Sequence, residues 1–225
     1  MKSDIFLIDF DITISKNDST DVLLEIHNKQ KKQEILELYR NGKLTIREYI
    51  KYGLESLDLT KEEYINTLKN NVKIDDTFQY FLDNKFNYRI VSAGSNLNVL
   101  ASLLGNGIEI KEDMIISNNL VFDNDKITVV NTYLDDNSYY GVDKGAIVKE
   151  FQNNGYRVIY LGDGPSDYEA AKVADYVFAR SGTRLVNFCN NNNIEFLEFE
   201  NFIEVVEKYK NKIRLGESKC WVKKM

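Results

Sequence analysis

The chain has 225 residues, 43% of them hydrophobic and 28% charged, with a formal net charge of −6 at pH 7. That length holds one sizeable α/β core with a smaller attachment, and the acidic balance argues against a nucleic-acid groove, which needs a basic stripe. A single histidine, His27, removes most His-based triads and multi-His zinc sites, and Cys189 and Cys220, far apart and in no C-x-x-C arrangement, suggest neither a disulfide framework nor a thiolate metal site and suit a reducing cytoplasm.

The apolar run at residues 5–8 stops at Asp9. It is too short for a signal-peptide core or a membrane span and reads as a buried strand. Over residues 16–72 no strand is predicted, and Leu23, Leu24, Ile35, Leu38, Ile46, Ile50 and Leu54 follow helical spacing. Two capping boxes, Thr45-x-x-Glu48 and Thr60-x-x-Glu63, mark helix starts in this stretch. An all-helical insert over 16–72 follows, set into a core made of 1–15 and 73–225. Next come a strand at 88–91, a helix at 97–104 and an antiparallel ribbon over 114–133, where apolar residues flank Asn118-Asn119 and Asp123-Asn124-Asp125. Helices at 145–152, 168–173, 183–190 and 202–212 then alternate with strands at 157–161, 176–178 and 195–199. Such alternation predicts an α/β fold with a doubly wound, Rossmann-like parallel sheet. The terminal stretch 216–225 has no periodicity and reads as a frayed tail on which Trp221 can tuck back.

Four segments carry candidate chemistry, each next to a predicted strand or helix. Asp9 and Asp11 end the first strand, where ligands of open α/β sheets bind and two carboxylates can converge on a metal. Ser92-Ala93-Gly94-Ser95 offers a hydroxyl and small residues that admit an anion to backbone N–H groups. Lys144 opens a helix and can present an ammonium to a phosphoryl oxygen. Gly162-Asp163-Gly164-Pro165-Ser166-Asp167 adds two carboxylates on a tight turn. Taken singly, each has an ordinary structural reading: a helix cap, a solvated lysine or a surface turn.

In order, Asp9-x-Asp11-x-Thr13, Ser92, Lys144 and Gly162-Asp163-Gly164-x-x-Asp167 resemble the four motifs of the haloacid-dehalogenase-like (HAD) hydrolase superfamily. Within it the local sequence is most similar to the phosphoserine-phosphatase-like branch, including the methionine-salvage 2-hydroxy-3-keto-5-methylthiopentenyl-1-phosphate phosphatases. The resemblance implies a Mg²⁺-dependent phosphatase for a small phosphate ester, with no nucleic acid or membrane partner. Asp9 would be the nucleophile, forming an aspartyl-phosphate, and Asp11 the general acid and base. Mg²⁺ would be held by Asp9, the Asp11 carbonyl, Asp163 and Asp167, while Thr13, Ser92, Ala93, Gly94 and Lys144 bind phosphate. The helical insert resembles a C1-type cap that closes over the site and selects the substrate. Ile12 stands where the first motif commonly has glycine. Asp18 stands where phosphoserine enzymes carry a substrate-binding glutamate. Asp18, Arg47 and Lys51 are candidate cap contacts, each equally readable as a solvated charge, as is His27. Phosphomutases, receiver-type phosphoacceptor modules and catalytically silent binding relatives share parts of this pattern and remain as alternatives.

Overall fold

A computed structural model describes residues 2–133 and 139–214. The terminal stretch 216–225, with Trp221 and Cys220, lies outside the described residues. In chain order, β1 (Ser3–Ile8) is followed by α1 (Ser19–His27), α2 (Lys29–Arg40), α3 (Ile46–Glu55) and α4 (Lys61–Asn71). Then come α5 (Phe78–Asp83), β2 (Tyr88–Ser95), α6 (Asn96–Gly105), β3 (Ile115–Asp123) and β4 (Lys126–Val130). The remainder alternates: α7 (Lys144–Asn153), β5 (Tyr156–Gly162), α8 (Tyr168–Val173), β6 (Tyr176–Arg180), α9 (Arg184–Asn191), β7 (Leu197–Phe199) and α10 (Phe202–Lys208), closed by a π-helical segment, Tyr209–Arg214. The chain divides into two compact units, one of residues 1–9, 75–89 and 144–225, the other of 10–74 and 90–143.

In the first unit four strands run parallel in the order β1-β5-β6-β7. Residues 5–8 of β1 and 158–161 of β5 are buried at every position, the mark of parallel strands covered on both faces. Their pairing, Ile5↔Val158 to Ile8↔Leu161, brings the ends of both strands level. Phe6, Phe78, Phe81, Phe86, Phe202 and Tyr209 form an aromatic cluster around Phe6 of β1, with mostly edge-to-face pairs. Asp75 fixes the entry to α5, taking both Thr77 donors on one oxygen and Arg180 on the other at 2.8 Å. The short helix α5 has no counterpart in the sequence-based reading, because two buried residues, Phe78 and Phe81, are too few to show a period. Strand β7 is shorter than expected, and the predicted helix at 202–212 passes into π-helical geometry after Lys208.

In the second unit β3 pairs parallel with β2 and antiparallel with β4, so the expected ribbon is present. Its turn carries Asn124 at φ 54°, a conformation asparagine tolerates. The expected helical stretch is α1 to α4, and both capping boxes form in full at Thr45–Glu48 and Thr60–Glu63. Just after β1, the carbonyl of Phe10 accepts from the N–H groups of Ile14 at 2.8 Å and Ser15 at 2.9 Å. This tight turn drives Ile12 to φ 63°, a strained conformation for a β-branched residue and the reason glycine suits the position. Among the described residues no helix is long and apolar enough to cross a membrane.

Helices α4 and α6 approach closely at Gly105, where an added Cβ would stand 2.2 Å from the carbonyl oxygen of Lys69. Backbone, not a flexible side chain, occupies that space. We expect Gly105→Ala to force the two helices apart and to cost about 1–3 kcal/mol, read as a lowered urea midpoint with an unchanged slope.

Candidate active site

The first unit gathers Asp9, Lys144, Asp163 and Asp167 at the carboxyl ends of β1 and β5. Asp9 continues the ladder beyond β1, its N–H donating to the carbonyl of Leu161 at 2.9 Å. Lys144 is the first residue of α7 and is 1% exposed. Its Nζ donates to Asp9 Oδ1 at 2.5 Å, to Asp167 Oδ1 at 2.7 Å and to Ser166 Oγ at 3.2 Å. Burial by itself depresses the lysine, but Asp167 and Asp9 more than reverse this and hold the ammonium above its ordinary range. The cation therefore stays charged away from water.

Asp167 is engaged on both oxygens. Oδ1 takes Lys144 and the hydroxyl of Tyr160 at 2.6 Å, and Oδ2 takes the N–H groups of Asp163 at 2.9 Å and Gly164 at 3.0 Å. These four donors match the lone-pair capacity of a carboxylate. Asp167 thus folds the turn back on itself and anchors Lys144. Gly162 makes room for this: a Cβ there would stand 2.6 Å from Asp167 Cγ.

Carboxylate oxygens of Asp9, Asp163 and Asp167 all lie within 4.8 Å of one another. Three carboxylates thus gather around one ammonium. An all-oxygen donor set of this kind fits a hard dication such as Mg²⁺. Asp9 and Asp163 suit direct ligation best, since Asp167 already has four donors.

In the second unit the Asp11 carboxylate accepts from the N–H of Ser19 at 2.7 Å through Oδ1. Its Oδ2 stands 3.5 Å from where a Cβ on Gly94 would be, and Ser92 Oγ stands 3.3 Å from the same point. Asp11, Ser92 and Gly94 are therefore neighbours. The Gly94 N–H is directed at Ser92 Oγ at 3.0 Å, so the hydroxyl, as an acceptor here, retains its own proton to donate. The Ala93 carbonyl accepts from Asn118 Nδ2 at 2.8 Å, and Thr13 is fully buried.

The candidate cap residues have structural partners. Asp18 caps α1 by accepting from the N–H of Asp21 at 2.8 Å. Burial, then the charges of Asp11 and Asp21, push its carboxyl well above the usual range. Arg47 Nε donates to Asn131 Oδ1 at 3.1 Å, and Lys51 lies 4.0 Å from Glu55. His27, expected to be merely solvated, hydrogen-bonds Thr67 Oγ1 at 2.8 Å.

Sequence reasoning missed Tyr160, Ser166 and Asn118. Tyr160 sits inside an apolar strand and reads as core; its signal is that a buried tyrosine hydroxyl needs a partner. Ser166 was in view inside the turn motif but has no charge to single it out. Asn118 is hidden in an ordinary hairpin sequence.

A model of the family described as Putative Phosphatase matches residues 4–207. The chain is 29% identical to the polyol phosphate phosphatase PYP1 of Saccharomyces cerevisiae, covering 92% of this chain and 92% of that protein. It is 27% identical to a 2-hydroxy-3-keto-5-methylthiopentenyl-1-phosphate phosphatase of Bacillus cereus, covering 90% of this chain and 94% of that protein. Among solved structures, a phospho-aspartyl intermediate analogue of phosphoserine phosphatase superposes with a TM-score of 0.69 at 20% identity, over 93% of this chain and 99% of the other. That likeness shows the fold.

Burial lifts the Tyr160 hydroxyl well above its ordinary range, with Asp167 adding to the effect, so it remains a donor. Tyr160→Phe keeps the ring and removes one hydrogen bond from a buried carboxylate. The expected loss is about 1–3 kcal/mol, measured by urea unfolding of the variant beside the parent protein.

Proposed function

We propose, since the chain belongs to the Putative Phosphatase family and is a phosphatase of the haloacid-dehalogenase superfamily, that it hydrolyses a small phosphate monoester through an aspartyl-phosphate on Asp9. The observation that carries this reading is the meeting of Asp9, Asp163 and Asp167 with a buried Lys144. A carboxylate attacks a phosphoryl group only when cations offset the repulsion between them. Lys144 is one such cation, held 2.5 Å from Asp9. Mg²⁺, when bound by Asp9, Asp163 and the Asp11 carbonyl, would supply the second and polarise the phosphoryl oxygens.

In the first step an Asp9 carboxylate oxygen bonds to phosphorus while the ester P–O bond breaks, and Asp11 gives its proton to the departing alkoxide. In the second, Asp11 takes a proton from water, whose oxygen bonds to phosphorus as the P–O bond to Asp9 breaks. Phosphate leaves and both carboxylates return to their starting states. Thr13, Ser92 and the backbone around Ala93 and Gly94 would hold the phosphate oxygens through hydrogen bonds. Asp167 keeps Lys144 and the 162–164 turn in register.

We propose the insert 16–72 as a substrate-selecting cap, with Asp18, Arg47 and Lys51 as its candidate substrate contacts. Both named relatives act on phosphates whose names place oxygen on the carbon chain, as a polyol or as hydroxy and keto groups. A short, oxygen-rich phosphate monoester is the substrate class we assign.

Asp9→Asn is expected to abolish Mg²⁺-dependent release of phosphate from 4-nitrophenyl phosphate with an unchanged circular dichroism spectrum; retained turnover would overturn the nucleophile. Asp11→Asn is expected to lower kcat/KM for phenyl phosphate at least about 100-fold. Asp163→Asn should lose Mn²⁺ binding in a calorimetric titration, and binding equal to the parent would remove it from the metal site. A panel of polyol phosphates, the methionine-salvage intermediate and phosphoserine tests the substrate class, which fails if phosphoserine leads in kcat/KM.

A further inference from the structure

We infer that Ser19, Asn98 and Tyr64 form a buried brace that fixes the carboxylate of Asp11, making them positioning residues for proton transfer to the leaving group; this rests on the acid and base role proposed above for Asp11. Asp11 belongs to no strand or helix and lies in the strained turn that follows β1. A carboxylate in such a place needs an anchor, because a displacement of about 1 Å at a reacting group costs on the order of 100-fold in rate.

The anchor is the backbone N–H of Ser19, 2.7 Å from Asp11 Oδ1. Ser19 is the first residue of α1, so its N–H has no partner within the helix and is available to the carboxylate. Ser19 is itself held: its Oγ accepts from Asn98 Nδ2 at 2.9 Å. Asn98 is held in turn, its Oδ1 accepting from Tyr64 at 2.5 Å and Ser95 at 2.8 Å, and its N–H donating to Ser95 Oγ at 3.1 Å. The two hydroxyls at Oδ1 and the donor contact to Ser19 agree on one orientation of the amide.

Ser19, Ser95, Asn98 and Tyr64 are each 0% exposed. A wholly buried polar network is costly unless it is satisfied, and when satisfied it rigidifies what it joins. This one takes a residue from each of α1, α4 and α6 and ends on Asp11. The two carboxylate oxygens are thereby distinguished. Oδ1 is clamped by Ser19, while Oδ2 lies on the side of Gly94 and Ser92. A Cβ on Gly94 would stand 3.3 Å from the Ser92 hydroxyl and 3.5 Å from Oδ2, so glycine keeps this close approach uncrowded.

The test compares kcat/KM, which reports the phosphoryl-transfer step, for 4-nitrophenyl phosphate and phenyl phosphate with the full chain and Mg²⁺. Nitrophenolate leaves readily as an anion, whereas phenolate depends more on a proton from Asp11. Asp11→Asn is expected to raise the preference for the nitrophenyl ester by more than about tenfold, Ser19→Ala by about fivefold and Tyr64→Phe by about twofold, within the scale of acid catalysis. A brace that only stabilised helix packing would lower the thermal midpoint and leave the preference unchanged. If Ser19→Ala does not fold, Tyr64→Phe, which keeps the ring, carries the comparison. An unchanged preference in the brace variants beside a raised one in Asp11→Asn overturns the brace and leaves the role of Asp11 standing. An unchanged preference in Asp11→Asn overturns that role, and the brace with it.

Discussion

A lysine ammonium withdrawn from water between two aspartates sets the terms for the first unit. Burying Lys144 without partners would expel its proton or unfold its surroundings; with Asp9 and Asp167 at 2.5 and 2.7 Å the charge is retained. Each partner then has to be held where the lysine needs it. Asp9 is held by the pairing of β1 with β5, through its N–H on Leu161. Asp167 is held by Tyr160 and by two N–H groups of its own turn. A tyrosine inside an apolar strand and a glycine at residue 162 both follow from this one charge and its need for saturated partners.

The second unit holds a carboxylate of its own through a different set of groups. Asp11 is held by a helix-terminal N–H whose residue is pinned by neutral amide and hydroxyl groups. The difference suits the two roles proposed for Asp9 and Asp11. A carboxylate meant to attack phosphorus benefits from a fixed positive charge that stays with it.

The architecture was legible because its strongest signals are local. The apolar runs at 5–8 and 157–161 are buried at every position, and the two capping boxes close as their spacing requires. Boundaries moved where tertiary contacts take over: β2 runs on to Ser95, where Asn118 on β3 meets it, and the helix after Asn201 leaves α geometry at Tyr209. At the site, charged residues at strand ends were legible, since Asp9, Lys144, Asp163 and Asp167 do converge. Neutral partners were not. Tyr64, Ser19 and Asn98 drew no sequence signal, because a neutral hydrogen bond between helices more than thirty residues apart leaves no periodic or compositional trace.

One residue type, aspartate, thus appears in environments that pull its chemistry apart. Asp167 takes four donors and is best suited to hold position. Asp9 faces an ammonium, the setting that its proposed role as nucleophile calls for. Asp18 lies beside Asp11 and Asp21, and burial, then those two charges, push its carboxyl well above the usual range. A glutamate in its place would reach one methylene further from the helix start that Asp18 now caps. The shorter side chain binds its own backbone at Asp21 instead of reaching outward.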